Sequence, residues 1–168
     1  MTTTVSYILK KSTEQTLGAL KGILAKGEAH AKAINCDEAG MLAQRLAPDM
    51  FALPRQVQIA CDTVARGAAR LAGLDMPSFP DTEQTFAELI ARCDKAIAYV
   101  NAIEDAKIDA TAKTTLQIPM GSVTLPMTGE QYLQGFVLTN LHFHAAMAYA
   151  LLRKQSVQIG KRDYLVPA

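Results

Sequence analysis

The chain has 168 residues, 49% of them hydrophobic and 20% charged, with a formal net charge of +1. That length fits one domain over residues 1–168 with a sizeable core, and the composition excludes intrinsic disorder. Lys and Arg are scattered without a basic stripe, so no nucleic-acid partner is expected. No apolar run approaches the roughly 20 residues of a bilayer span, so no membrane role is expected.

The N-terminus, "MTTTVSYILKKSTEQ", lacks the basic segment, apolar stretch and small-residue cleavage site of a signal peptide. The cysteines, Cys36, Cys61 and Cys93, are odd in number and widely spaced. They form no C-x-x-C pair, and a reducing, cytoplasmic setting is expected.

Val5, Ile8, Leu9, Leu17, Leu20, Ile23 and Leu24 recur at helical spacing and predict a first helix from about residue 4 to Lys26, with Gly27 as its stop. Residues 28–48 read as a connector with short helical turns. Pro48 and Pro54 frame the start of a second helix, because proline is tolerated in a first turn. Its stripe is Leu53, Val57, Cys61, Val64, Ala68 and Leu71, and Gly73 ends it. Asp81 with Gln84 predicts the capped start of a third helix, with Phe86, Leu89, Ile90, Cys93, Ile97 and Val100 on one side.

The pattern then changes. "TTLQIPMGSVTLPM" holds two short β-prone runs around Pro119-Met120-Gly121, which predicts a small hairpin. Thr128 with Gln131 predicts a capping box, and a fourth helix follows from about Gly129 to Lys154. The tail "SVQIGKRDYLVPA" reads as a loop. Four long amphipathic helices make the fold all-α, a four-helix bundle with a hairpin-like excursion between its third and fourth helices.

The chemistry centres on "TNLHFHAAMAY", residues 139–149. Side chains two apart on a helix diverge, whereas those four apart converge. His142 and His144 therefore do not act as a pair. Asn140 and His144 do, projecting from the stripe of Leu133, Phe136, Val137, Met147 and Leu151. A polar pair on a buried stripe needs partners. On the second helix Gln56, Gln58 and Asp62 flank the apolar stripe as possible partners; Gln58 and Asp62 are also four apart, and one of these two is the expected hydrogen-bond partner of a buried His144. A carboxylate there would raise the imidazole pKa and fix its tautomer. Two readings stay open: a core histidine satisfied by a neighbouring helix, or a pocket in the bundle interior.

The segments "LAPDMFALPRQVQIACD", "FPDTEQTFAELIARCDKAI" and "HFHAAMAYALLRKQSVQIGKRDYL" resemble domain-of-unknown-function family nineteen-ninety-three, over nearly the whole chain. That branch belongs to the DinB/YfiT-like metalloenzymes. The resemblance implies up-down-down-up helices, often a homodimer, and a divalent metal on three histidines: one from the second helix, two from H-x-x-x-H on the last. Several members are thiol-dependent transferases. Here the last-helix positions hold Asn140 and His144, and residues 53–72 contain no histidine. One ligand of three survives, and imidazole or thiolate is what nickel or zinc wants. No cofactor is expected, and a divalent metal would bind at best weakly.

Two functions follow as expectations. One is a degenerate pocket that binds a small molecule or performs a transferase-like step. In it His144 and Asp62 are the catalytic acid/base and its orienter, and Asn140 and Gln58 bind the substrate. The other is a non-enzymatic, dimeric interaction protein. A cavity open to solvent beside His144 favours the first, and a filled core the second.

Overall fold

The computed structural model describes residues 3–166, and the chain is mostly helical with one two-stranded antiparallel sheet. The long helices are α1 (Val5–Ala33), α3 (Leu53–Leu71) and α4 (Phe86–Ala102), and the continuous stretch of α6 (Gly129–Tyr132), a π-helical turn (Leu133–Val137) and α7 (Leu138–Lys154). Helices α1 and α3 each pack against both α4 and α7, so the four long rods close a ring around one core. Leu17, Leu20, Val57, Val64, Leu89, Leu141 and Leu151 fill it, all essentially without solvent exposure. Short helices α2 (Glu38–Leu42), α5 (Asp105–Asp109) and α8 (Lys161–Leu165) lie in the connections.

The first helix does not stop at Gly27. It continues to Ala33, and Gly27 is a packing residue: a Cβ there would stand 3.0 Å from Phe86 Cε1 and 3.1 Å from Leu152 Cδ2. The actual stop is Asn35 at φ 51°, with the Cys36 N–H donating to Ala31 O at 2.9 Å. Asn is one of the few side chains at ease in that left-handed conformation. Helix α3 ends as expected at Gly73, φ +66°.

Helix α4 is not capped by Asp81 and Gln84. Its N-cap is Thr85, in a capping box with Glu88, and Asp81 binds arginines instead. The tail predicted as loop contains α8.

Strands β1 (Thr115–Met120) and β2 (Val123–Thr128) form the expected hairpin, in register from Thr115↔Thr128 to Met120↔Val123. The two-residue turn places Gly121 at φ +64°, which glycine adopts without steric cost. An isolated hairpin is marginal. This one is held by buried Ile118 and by Arg70 Nη1, which donates to Gln117 O at 3.3 Å.

The Thr128–Gln131 capping box starts the last long helix as expected. The π turn was not anticipated. The Leu138 N–H reaches back to Leu133 O, which inserts one residue into the helical repeat. A Cβ on Gly67 of α3 would stand 2.8 Å from Val137 Cγ2, so that glycine lets α3 approach the π turn. The insertion moves the buried stripe. Leu133, Val137, Leu141, His144, Ala145, Ala148 and Leu151 are buried, whereas Phe136, Asn140 and Met147 are half-buried at its edge. By length and composition Gly129–Lys154 is apolar enough to cross a membrane, contrary to the expectation of no such run. In the fold it packs on α1 and α3.

Candidate functional site

His144 is on the core side of α7, 9% exposed, and His142 is in solvent. The partner of His144 is neither Asp62 nor Gln58. It is Gln56, whose Oε1 lies 2.7 Å from His144 Nδ1. Gln56 Nε2 donates to Phe51 O at 3.2 Å, which turns the amide oxygen toward the ring. Nδ1 must then carry the proton, and Nε2 is the bare nitrogen. The Phe143 ring meets the imidazole edge-on at 5.1 Å. Burial, and then the charge of Arg55, hold the His144 pKa below its ordinary value, so the ring is neutral at pH 7. This is opposite in direction to the rise that a carboxylate partner would cause.

Gln58 and Asp62 do act together, as their spacing suggests, but toward α4. The α3 rotation that buries Gln56 beside Val57 swings Gln58 and Asp62 to the α4 side. There they surround Arg92, only 3% exposed. Its guanidinium donates to Asp62 at 2.8 Å, Asp81 at 2.9 Å, Glu83 at 2.7 Å and Pro80 O at 2.9 Å. Gln58 Nε2 donates to Glu83 at 2.9 Å. Burial disfavours charge on both Arg92 and Glu83, but their hydrogen bonds outweigh it. The Arg92 pKa is raised, and that of Glu83 is lowered by Arg92 and Gln58. The cluster pins the loop between α3 and α4 to the ring. Arg92 was missed in the sequence, although a signal was there: it stands three residues after Leu89 and four before Ala96, on the buried side, with the acids of "PDTE" just upstream.

On its outer side α3 borders a half-open cleft of about 360 Å³. Arg55, Asp62, Arg66 and Arg70 line it from α3, Ile118 and Pro119 from the hairpin, and Tyr132, Phe136 and Asn140 from the last long helix. The Tyr132 and Phe136 rings stack with centroids 5.5 Å apart. Asn140 Nδ2 donates to Phe136 O at 2.7 Å, inside the π turn. Of the four predicted site residues, Asp62 and Asn140 meet at this cleft, and Gln58 and His144 do not line it. The opening therefore lies beside Asp62 and Asn140, not beside His144.

The donors do not fit the three-histidine metal site that the resemblance implies. Among the described residues no three His, Cys, Asp or Glu side chains gather into a ligand set. Asp62 is committed to Arg92, and the Asn140 amide nitrogen to backbone. The Cys61 and Cys93 sulfurs lie 3.8 Å apart, both fully buried. Their mutual contact and burial push the Cys61 thiol well up, so it packs as a small hydrophobe.

A ring of long helices with a hairpin before the last one is a DinB-like architecture. The chain aligns with a crystal structure of a DinB family member protein from Shewanella denitrificans at TM-score 0.85 and 36% identity, covering 97% of this chain and 94% of that one. Residues 8–165 match the family described as "Domain of unknown function (DUF1993)", and the chain belongs to that family. None of the curated proteins matches it.

Proposed function

We propose that this chain is a DinB-like four-helix bundle that binds a small organic molecule in the cleft between α3, the hairpin and the last long helix. The observation supporting this is the cleft itself. Its volume lies in the range of small-molecule sites, and it combines an apolar wall with a few polar groups. Asn140 is its binding residue, and Asp62, held by Arg92, stands beside it on the cleft wall. Asn140 keeps its side-chain oxygen for a donor on the ligand, since its nitrogen is used on Phe136 O. Binding is favoured over a transferase-like step, because the imidazole, His144, is buried against Gln56 and does not line the cleft.

The test is a ligand-observed NMR screen of neutral and charged fragments against the wild type and Thr63→Trp, which fills the cleft. Hits lost in the variant support the reading. No hits, or the same hits on both proteins, would contradict it.

A second reading, a homodimer, has one observation in its favour. Phe143 is 53% exposed beside exposed His142, on the outer face of α7. Sedimentation at micromolar concentration should then give twice the 18.1 kDa chain mass, and Phe143→Asp should return the monomer.

A further inference from the structure

We propose that the ligand of the cleft is an organic anion, a carboxylate or phosphate ester on an apolar body, with Arg66 and Arg70 holding the charged group. This rests on the reading of the cleft as a small-molecule site, and it adds the class of ligand.

The charges that line the cleft are not all answered within the fold. Four charged side chains line the cleft: Arg55, Asp62, Arg66 and Arg70. Two are answered within the fold, Arg55 by Asp81 at 2.5 Å and Asp62 by Arg92 at 2.8 Å. The other two are not. The carboxylate oxygen nearest Arg66 is Asp62 Oδ2 at 3.9 Å, too far for a hydrogen bond, on a carboxylate already committed. Among the described residues Arg70 makes no salt bridge, and it spends one Nη1 donor on Gln117 O. Arg66 and Arg70 are four residues apart on α3, so they lie one turn apart on the same face. They form the net positive part of the wall.

A guanidinium offers five donors in a planar fork that suits carboxylate and phosphate oxygens. Tyr132 also lines the cleft, largely buried. Burial pushes its pKa up, and the charge of Arg70 and a hydrogen bond with it offset this only in part, so the phenol stays protonated beside Arg70. Apart from Thr63 and Asn140, the remaining wall is mostly apolar. Ile59, Met76 and Phe136 would stay wet around a bare inorganic ion and are covered by a ligand with a hydrocarbon or aromatic body. The cleft thus selects against cations by charge and against small inorganic anions by its apolar wall.

Calorimetric titration of the full chain tests this with four probes: phenyl phosphate, benzoate, inorganic phosphate and benzyl alcohol. Phenyl phosphate or benzoate should bind. Inorganic phosphate and benzyl alcohol should each bind at least about tenfold more weakly, each lacking half of the recognition. Arg66→Gln with Arg70→Gln should weaken the anion by at least about tenfold without changing the weak binding of benzyl alcohol. Should that double variant melt early, Arg66→Gln alone, at an exposed position, and the loss of wild-type affinity with added NaCl carry the same test. Benzyl alcohol binding as tightly as the anions would overturn the anion proposal and leave the cleft as a ligand site. Inorganic phosphate matching phenyl phosphate would overturn the apolar body. Binding of none of the four would remove both the proposal and the reading beneath it.

Discussion

Arg92 and the pair Arg66/Arg70 are the same chemistry in opposite settings. Arg92 is buried between α3 and α4 with three carboxylates and a carbonyl within 3 Å. Arg66 and Arg70 stand on the open face of α3 with no carboxylate of the described residues within hydrogen-bond distance. A buried cation must be answered by the fold, because an unanswered one costs several kcal/mol. A surface cation need not be, and its donors stay available to a ligand. Asp62 joins the two settings, since it binds Arg92 and also lines the cleft. Helix α3 thus supplies a structural clamp on one side and a recognition surface on the other.

The sharpest way to break this contrast is to delete each kind of arginine in turn. Arg92→Met strands Asp62, Asp81 and Glu83 together. It should cost about 3–5 kcal/mol in urea unfolding, as loss of one partner of a buried ion pair does. Arg66→Gln should cost no more than about 0.5 kcal/mol, as exposed substitutions do. Equal losses would erase the distinction.

The close approach of α3 to the π turn, which shapes one end of the cleft, comes next. Gly67→Ala drives a methyl group to 2.8 Å from Val137 Cγ2 and should destabilise by roughly 1–3 kcal/mol, even though alanine is the better helix former.

The two histidines repeat the contrast on α7. His144→Ala strands the Gln56 amide and leaves a cavity, for a loss of roughly 1–3 kcal/mol. His142→Ala should stay within about 0.5 kcal/mol.

Acid should act on the two buried sites in separate pH windows. The folded pKa of His144 lies below 6.5, so the unfolded chain takes up that proton first. Stability therefore falls as the pH drops below about 6.5, and His144→Ala should abolish this part of the slope. The folded pKa of Glu83 lies below 4.5, so its contribution is present above that pH and is lost as the pH falls through the folded value. Chemical unfolding followed by circular dichroism between pH 2 and 8 separates them. A slope below pH 6.5 that survives His144→Ala would contradict the assignment.

Much of the fold was legible because its signals are local. Apolar spacing placed all four long helices, the Thr128–Gln131 box placed the start of the last, and the β-prone run placed the hairpin. Gly27 misled because a glycine at a close helix contact and a glycine at a helix stop look alike in sequence. The site was less legible, for two physical reasons. The π turn rephased the last long helix by one residue and moved Asn140 from the core stripe to the cleft edge. The facing of α3 is set by packing, which turned Gln56 toward His144, Gln58 toward Glu83 and Asp62 toward Arg92, an arginine on another helix. The burial of His144 was legible because its neighbours along the helix are apolar. The identity of its partner depended on a tertiary rotation that one helix cannot encode.

The most direct measurement is NMR of the arginine side-chain Nε–H groups as phenyl phosphate is added. The account predicts a slowly exchanging Arg92 signal that the probe leaves in place, beside Arg66 and Arg70 signals that exchange quickly with water and shift together as the probe binds. An Arg92 signal that exchanges as fast as the others, or Arg66 and Arg70 signals that ignore the probe while another site responds, would contradict the division of α3 into a clamp and a recognition face.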